Sequence, residues 1–573
     1  MKRSMFLFIS LVVLTSLVLT ACGPKPTAVL PSTEIPVVDT PVSASLLSTL
    51  VEEPFAPVTV SAPSCDYGGE MKSIEAVDEF TVKFTLCYPD PAFLSKIALA
   101  SFGVQPKEWL KATGGGGPGS ELLTSPVGTG AYMLNQWQKG QEVDLIRFDD
   151  YWGTKALTKT VVLRWGTESA QRLQELQAGT VDAIDNVGPA DFATIQADSN
   201  LQILNRDPMN VLYIGMNNTA PPFDQLEVRK AIAMGIDRSR IVSNFYPAGS
   251  VVADYFTPCM IANGCVGDKW YDFDPVAAKA LLAQAGFPDG FTTELAYRDV
   301  IRPYVAQINN VAQDVQAQLL ANLNITATIN VMESGTYLAA ADAGELKGLF
   351  LLGWTADYPD QTNFVDVFFG AGQNDSLGTP WPDIGDALRQ AGSLADPAAR
   401  EPFYVTAHNL IKEYIPMVPV AHGVSAMAYK ATAQGANVSA LSDEMFAPVS
   451  ISGQDTFVFM GNSEPISLYG ADESDRESLR PYIQVTEGLY GFTVGTTDVT
   501  PFLATGCTPN ADVTEWTCAL RQNVKFHNGF GFDAADVVST FNVQWDASNS
   551  LHVGNTGEFY YFSTCFSAFL NAP

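Results

Sequence analysis

The chain has 573 residues, 47 % of them apolar, with 62 Asp and Glu against 32 Lys and Arg and a formal net charge of −30. It is too long for one hydrophobic core and apolar enough to fill two or three lobes. No basic stripe runs through it, which argues against a nucleic-acid partner. The acidity speaks for solubility and not for the charge of a ligand.

Lys2-Arg3 precedes an apolar run from Met5 to Leu19, followed by Thr20-Ala21-Cys22-Gly23. A basic start, a short apolar core and small residues before a cut site read as a secretory signal. The run is short for a membrane span. Leu-x-Ala-Cys-Gly resembles the bacterial lipobox, which implies that residues 1–22 are a lipoprotein signal peptide and that Cys22 carries lipid. The alternative is an ordinary signal with an incidental cysteine. Residues 23–60, rich in Pro, Thr, Ser and Val, cannot bury a core and read as a disordered tether. In an exported chain Cys65 with Cys87, Cys259 with Cys265, and Cys507 with Cys518 are candidates for local disulfides. Reduced, buried cysteine is the alternative, and Cys565 is left over.

Residues 75–86 read as a turn and an alternating strand, and residues 126–132 as a turn entering another strand. Residues 171–178 are helical and stop at Gly179. Val228, Ala231, Ile232 and Ile236 recur at helical spacing, so one helix is expected from Glu227 to about Val242. A further helix is expected over 277–285, ended by Gly286, with a turn at Pro288-Asp289-Gly290. Residues 291–297 read as a strand, and Val311, Val315, Leu319 and Leu323 mark a helix. Ile325, Ala327, Ile329 and Val331 alternate as a second strand. A short helix over 337–344 leads to a third strand at 349–352. This β-α-β-α-β pattern predicts a parallel sheet with right-handed crossovers. Ligands of such sheets bind at the carboxyl ends of the strands. Arg302 follows the first strand and Asp357 the third, which puts a cation and an anion on the ligand-facing edge.

Enzyme chemistry finds little support. His408, His422, His527 and His552 show no metal spacing. Neither a Gly-x-Ser-x-Gly elbow nor a P-loop occurs. Gly114-Gly-Gly-Gly117 lacks the Lys-Ser/Thr of a phosphate cradle and reads as a flexible loop. No catalytic residue, metal or cofactor is therefore expected. His422 and His527 read as structural.

Several segments together resemble the bacterial extracellular solute-binding proteins of family 5, the peptide receptors of ABC importers. They are Pro126-Val-Gly-Thr-Gly-Ala-Tyr132, Tyr151-Trp152-Gly153, Leu176-Gln-Ala-Gly-Thr-Val-Asp182, and Asn217 with Pro222-Phe223-Asp224. Val228-Arg229-Lys-Ala231, Ile236-Asp237-Arg238, Gly353-Trp-Thr-Ala-Asp-Tyr-Pro-Asp360 and Ile415-Pro-Met-Val-Pro419 complete the run within residues 65–450. The family's opening landmarks come later, in residues 455–573. They are Glu487-Gly-Leu-Tyr490, Leu520-Arg-Gln-Asn-Val-Lys-Phe-His-Asn-Gly529 and Asp533-Ala-Ala-Asp-Val-Val538. That order looks like a circular permutation, with the old termini joined near Ala447 to Asp455; a rearranged or truncated gene model is the alternative. Permutation is tolerated where domain termini lie close together.

The resemblance implies an α/β, two-lobed periplasmic-binding-protein type II (cluster C) fold with an extra subdomain, circularly permuted. The second lobe is expected over about 270–400, and the extra subdomain over about 65–165 and 485–573. It implies a monomeric, lipid-anchored receptor on the outer face of the cytoplasmic membrane. Such a receptor delivers short peptides to ABC permease subunits; an oligosaccharide or other small solute is the alternative ligand. A surface hydrolase or adhesion module is the competing class. In the dipeptide receptors an aspartate of a Gly-Trp-x-x-Asp stretch holds the peptide's amino end, the place of Asp357. An arginine of an Arg-Pro-Tyr stretch holds the carboxylate, the place of Arg302, followed by Tyr304. Trp354 would line the pocket. The structural alternatives are an Arg302–Asp357 salt bridge and plain core packing of Trp354.

Overall fold

The computed structural model describes residues 46–572, apart from 301, 306 and 372. Cys22, the signal peptide and the tether up to residue 45 lie outside the described residues. Leu46–Thr49 is a single 3-10 turn belonging to a separate leading unit; the main body runs from Leu50 onward. No described helix is long and apolar enough to cross a membrane.

Three sheets organise the body. A seven-stranded sheet builds the first lobe, with spatial order Tyr132–Gln138, Glu142–Arg147, Thr160–Trp165, Thr456–Gly461, Ala183–Ile184, Ser425–Lys430, Leu201–Arg206. Thr456–Gly461 comes from the far end of the chain, yet lies inside this sheet, parallel to both neighbours. Phe457 and Phe459 are fully buried in the lobe's core with Phe446, Tyr429 and Val161. Alternation of apolar residues fits a strand covered on one face, and Phe457 and Phe459 obey it.

The second lobe holds a six-stranded sheet, in the order Val251–Val252, Met417–His422, Asn210–Met216, Leu349–Thr355, Thr292–Arg298, Thr326–Met332. The expected β-α-β-α-β stretch is there: 292–298 pairs in parallel with both 326–332 and 349–355. The helices Ile308–Leu323 and Ser334–Asp342 make the crossovers. The lobe is wider than 270–400, because 210–216 and 417–422 are its central strands; 210–216 pairs with both 349–355 and 417–422. The single helix expected over 227–242 is two, Leu226–Gly235 and Arg238–Phe245. Asp237 breaks it, its carboxylate capping the second helix by accepting from the Arg240 N–H at 3.0 Å.

The extra subdomain has a five-stranded antiparallel sheet, in the order Thr59–Ser61, Met71–Asp78, Thr81–Leu86, Glu515–Leu520, Ala504–Pro509. The helix Ala534–Trp545 packs on it, started by a capping box of Asp533 and Asp536. Its extent differs from the sequence reading at two points. The strands within 132–165 belong to the first lobe, since they pair through to 456–461. The tether is shorter than 23–60: Thr59–Ser61 is an edge strand, and Glu53 N donates to Glu108 Oε1 at 2.9 Å. Disulfides join Cys65–Cys87, Cys259–Cys265 and Cys507–Cys518, and Cys565 is free and buried.

Two short connections link the lobes. Residues 207–209 carry the chain from 201–206 to 210–216, and residues 423–424 carry it back from 417–422 to 425–430. The Asn210 amide clasps the two, donating to Gly423 O at 2.8 Å and accepting from Gly423 N at 2.9 Å.

Candidate functional site: the cleft between the lobes

In the second lobe the strands 292–298, 326–332, 349–355 and 417–422 all run one way, against 210–216. Their carboxyl ends therefore meet on the edge where the connections leave for the first lobe. Thr355 pairs with Asn210 at that edge. Asp357 lies two residues further, so the topology delivers it to the cleft.

The loop that carries Asp357 is held from below. Asn363 Oδ1 accepts from the Asp357 N–H at 2.8 Å and from Trp354 Nε1 at 3.2 Å. Arg400 grips the Asp360 carboxylate with two bonds of 2.8 Å. Burial pushes the Asp360 carboxyl up, but Arg400 outweighs it and holds the group below the ordinary range. Gly353 has no room for a Cβ, which would come within 2.4 Å of the Tyr304 ring. The Gly-Trp-x-x-Asp spacing thus has a physical basis: the glycine admits Tyr304, and the loop bonds fix the aspartate.

Asp357 itself is half-buried and makes no ion pair within 4.0 Å among the described residues. Burial pushes its carboxyl above the usual range, with Arg476 and Asn363 opposing. Arg476 opens the helix Arg476–Val485, whose N-cap is Asp475. It donates to Asp443 Oδ1 at 3.4 Å and lies over the Tyr561 ring at 6.0 Å. Tyr560 and Tyr561, on the helix Tyr560–Phe566, also feel the Asp357 charge. One wall of the cleft is therefore the Asp357 loop of the second lobe. Arg476 and the two tyrosines, from a distant part of the chain, are close enough for their charges to couple to it.

The other sequence candidates also lie at the carboxyl ends of the second lobe's strands. Arg302 is exposed on the turn after 292–298, exchanging backbone bonds with Val305. Tyr304 is buried, its hydroxyl accepting from Arg298 at 3.3 Å. Trp354 is half-buried and meets Phe368 edge-on at 5.7 Å. Asp357 and Trp354 share the Asn363 anchor. Arg476 and Asp443 carry no sequence signal for a ligand, because only the fold brings Arg476 near Asp357.

A second constellation unites landmarks from both halves of the chain. Glu487 accepts from Thr129 Oγ1 at 2.7 Å, Tyr151 Oη at 2.6 Å and Trp152 Nε1 at 2.7 Å. His527 accepts at Nδ1 from Gly128 N at 3.4 Å and donates from Nε2 to Gly130 O at 2.9 Å, so it is a neutral Nε2–H imidazole. A Cβ on Gly128 would sit 2.2 Å from Val485 O, and one on Gly130 2.6 Å from Gln484 O. The two glycines are needed because 128–130 runs against 484–486. Beside this cluster is a small cavity of about 50 Å³, bordered by Leu99, Met445, Ile483, Phe492, Phe502 and Asp443. Among the described residues no group of three or more His, Cys, Asp or Glu could hold a metal ion.

Two α/β lobes joined by a pair of short connections, with charged walls facing across the gap, define a two-lobed solute-binding protein. The comparisons say which kind. The sequence model of the bacterial extracellular solute-binding proteins, family 5 Middle, matches residues 40–376 and 498–558, and the chain belongs to that family. It is similar to the dipeptide-binding protein of Pseudomonas aeruginosa, 30 % identical over 385 residues, covering 65 % of this chain and 70 % of that protein. The HbpA2 structure from Haemophilus parasuis matches with TM-score 0.60 and 27 % identity, over 67 % of this chain and 76 % of that one. The dipeptide-binding protein of Pseudoalteromonas, solved with Met-Leu, matches with TM-score 0.54 and 25 % identity, over 67 % and 76 %.

Proposed function

We propose that this protein is the exported, lipid-anchored receptor of an ABC importer and that it captures short peptides by closing its lobes over them. The observation that carries the peptide reading is Asp357. A carboxylate that burial disfavours, with no ion pair within 4.0 Å among the described residues, gains most from a ligand ammonium. Its place at the carboxyl ends of the second lobe's strands suits a ligand site. Relatives named for dipeptide binding support the same class. Closure would be a hinge motion at 207–209 and 423–424. Delivery would be to permease subunits in the membrane, where lipid on Cys22 would hold the protein. A thermal-shift screen of di- and tripeptides against oligosaccharides tests the ligand class. A peptide present at 1,000 times its Kd should add about 4 kcal/mol of stability. Stabilisation by sugars alone contradicts the reading. Cys22→Ser should move the protein from the membrane to the soluble fraction.

The chain order fits a circular permutation. Landmarks that open the family's chains stand at 487–538, yet they bond to residues 128–152. Residues 65–70 also adjoin 545–566: Glu70 N donates to Phe566 O at 2.9 Å, and Trp545 Nε1 donates to Tyr67 Oη at 3.2 Å. A chain reordered to start near residue 455, with the 573 and 65 ends linked, should fold and bind the same ligand. Aggregation of that chain contradicts the permutation.

A further inference from the structure

A buried ring bridges the two sides of the cleft. Tyr358 follows Asp357 on the second lobe's loop and is 6 % exposed. Its ring centre lies 5.8 Å from Lys96 Nζ. Lys96 is on the helix Phe93–Ile97 of the extra subdomain, where Phe93 stacks on Trp516 of the five-stranded sheet at 5.4 Å. That subdomain is tied to the helix Arg476–Val485 and the residues after it. Gln105 Nε2 donates to Tyr482 Oη at 3.1 Å, and Val104 N donates to Glu487 O at 2.8 Å. The Tyr358–Lys96 contact therefore adds a side-chain link to the backbone connections at 207–209 and 423–424.

The socket that receives the ring is built without it. Lys96 Nζ lies 2.9 Å from Glu70 Oε2 and 3.0 Å from Asp90 Oδ2, and these three side chains are at most 9 % exposed. The Phe566 ring lies 5.5 Å from the same ammonium. Two carboxylates and two aromatic rings thus surround one dry cation. On its own side the Tyr358 hydroxyl accepts from Thr362 Oγ1 at 3.3 Å, which ties the ring back to its loop. A desolvated cation over an aromatic face attracts more strongly than an exposed one.

We propose that Tyr358 and Lys96 form a latch that holds the lobes together in the ligand-free receptor. Tyr358 rides on the loop that Asn363 and Arg400 already fix, so seating its ring moves the second lobe as a body. The latch populates the closed form before any solute arrives. Less of the solute's affinity is then lost to the conformational change. The latch works alike whether the solute is a peptide or a sugar.

Electron spin distance measurements on ligand-free protein test it. Labels go on two exposed positions, Leu157→Cys in the first lobe and Val276→Cys in the second. Cys565 is buried, out of the label's reach. Tyr358→Ala should raise the ratio of long to short distances about tenfold, the weight of a partly desolvated cation–ring contact. Tyr358→Phe keeps the ring and should keep the wild-type distribution. Tyr358→Leu keeps apolar bulk without a ring and should behave as Tyr358→Ala. Melting temperatures of the variants verify the fold. An unchanged distribution in a folded Tyr358→Ala overturns the latch. So does a Tyr358→Leu variant as closed as wild type, because apolar packing and not the cation would then hold the lobes.

Discussion

Glu487 and Asp357 are both carboxylates that burial pushes above their ordinary pKa range, and they have opposite uses. Glu487 is 5 % exposed and saturated: three donors, from Thr129, Tyr151 and Trp152, meet its two oxygens. Its environment was completed when the chain folded. Asp357 sits on a loop whose other members are bonded, while its own carboxylate makes no ion pair within 4.0 Å among the described residues. Its environment waits for a partner. The difference teaches that a buried charge signals a binding site when its surroundings are fixed but no counter-charge pairs with it.

The largest effect should come from breaking the saturated site. Glu487→Ala leaves three donors without an acceptor, each costing about 1–3 kcal/mol. A urea titration should show several kcal/mol of lost stability, and a variant as stable as wild type would show that the cluster is not structural.

The next effect concerns pH in the same region. Burial depresses the His527 imidazole to about 4 from its ordinary 6.5. The folded state therefore resists protonation, and stability falls as pH drops from about 6.5 toward 4. His527→Gln should remove up to about 3 kcal/mol of that fall. An unaltered pH profile in the variant would mean that His527 is protonated in the folded protein.

A smaller effect belongs to the open site. Burial lifts the Asp443 carboxyl to about 6 from 3.8, with Arg476 opposing. Here the folded state takes up the proton first, so this group adds stability as pH falls from 7 through 6. Asp443→Asn should flatten that rise. Urea titrations of variant and wild type at pH 7 and pH 5 measure the difference. A rise of equal size in Asp443→Asn would mean that another group takes up the proton.

Much of the second lobe was legible in the sequence, because its signals are local. Val311, Val315, Leu319 and Leu323 repeat at helical spacing and lie in the helix Ile308–Leu323. In the first lobe Gly179, read as a stop, likewise ends the helix Ser169–Ala178 at φ 78°. Asp357 was legible as a strand-end anion. The break at Asp237 was not, since the apolar spacing runs on through Ile236 while the cap ends the helix. The charge that reaches Asp357 from Arg476 was not legible either. Arg476 and Arg480 look alike in sequence, and only their surroundings separate them. Glu487 finds Thr129 across 358 residues of chain, a distance over which no periodicity speaks.

The most direct test of the ammonium site is calorimetry with alanyl-phenylalanine and its N-acetyl derivative on wild type and Asp357→Asn. Wild type should prefer the free amine by about tenfold to a hundredfold. Asp357→Asn should bind both peptides alike, at the weaker affinity, with no loss of melting temperature. Equal binding of the two peptides by wild type, or a preference surviving in Asp357→Asn, would contradict the account.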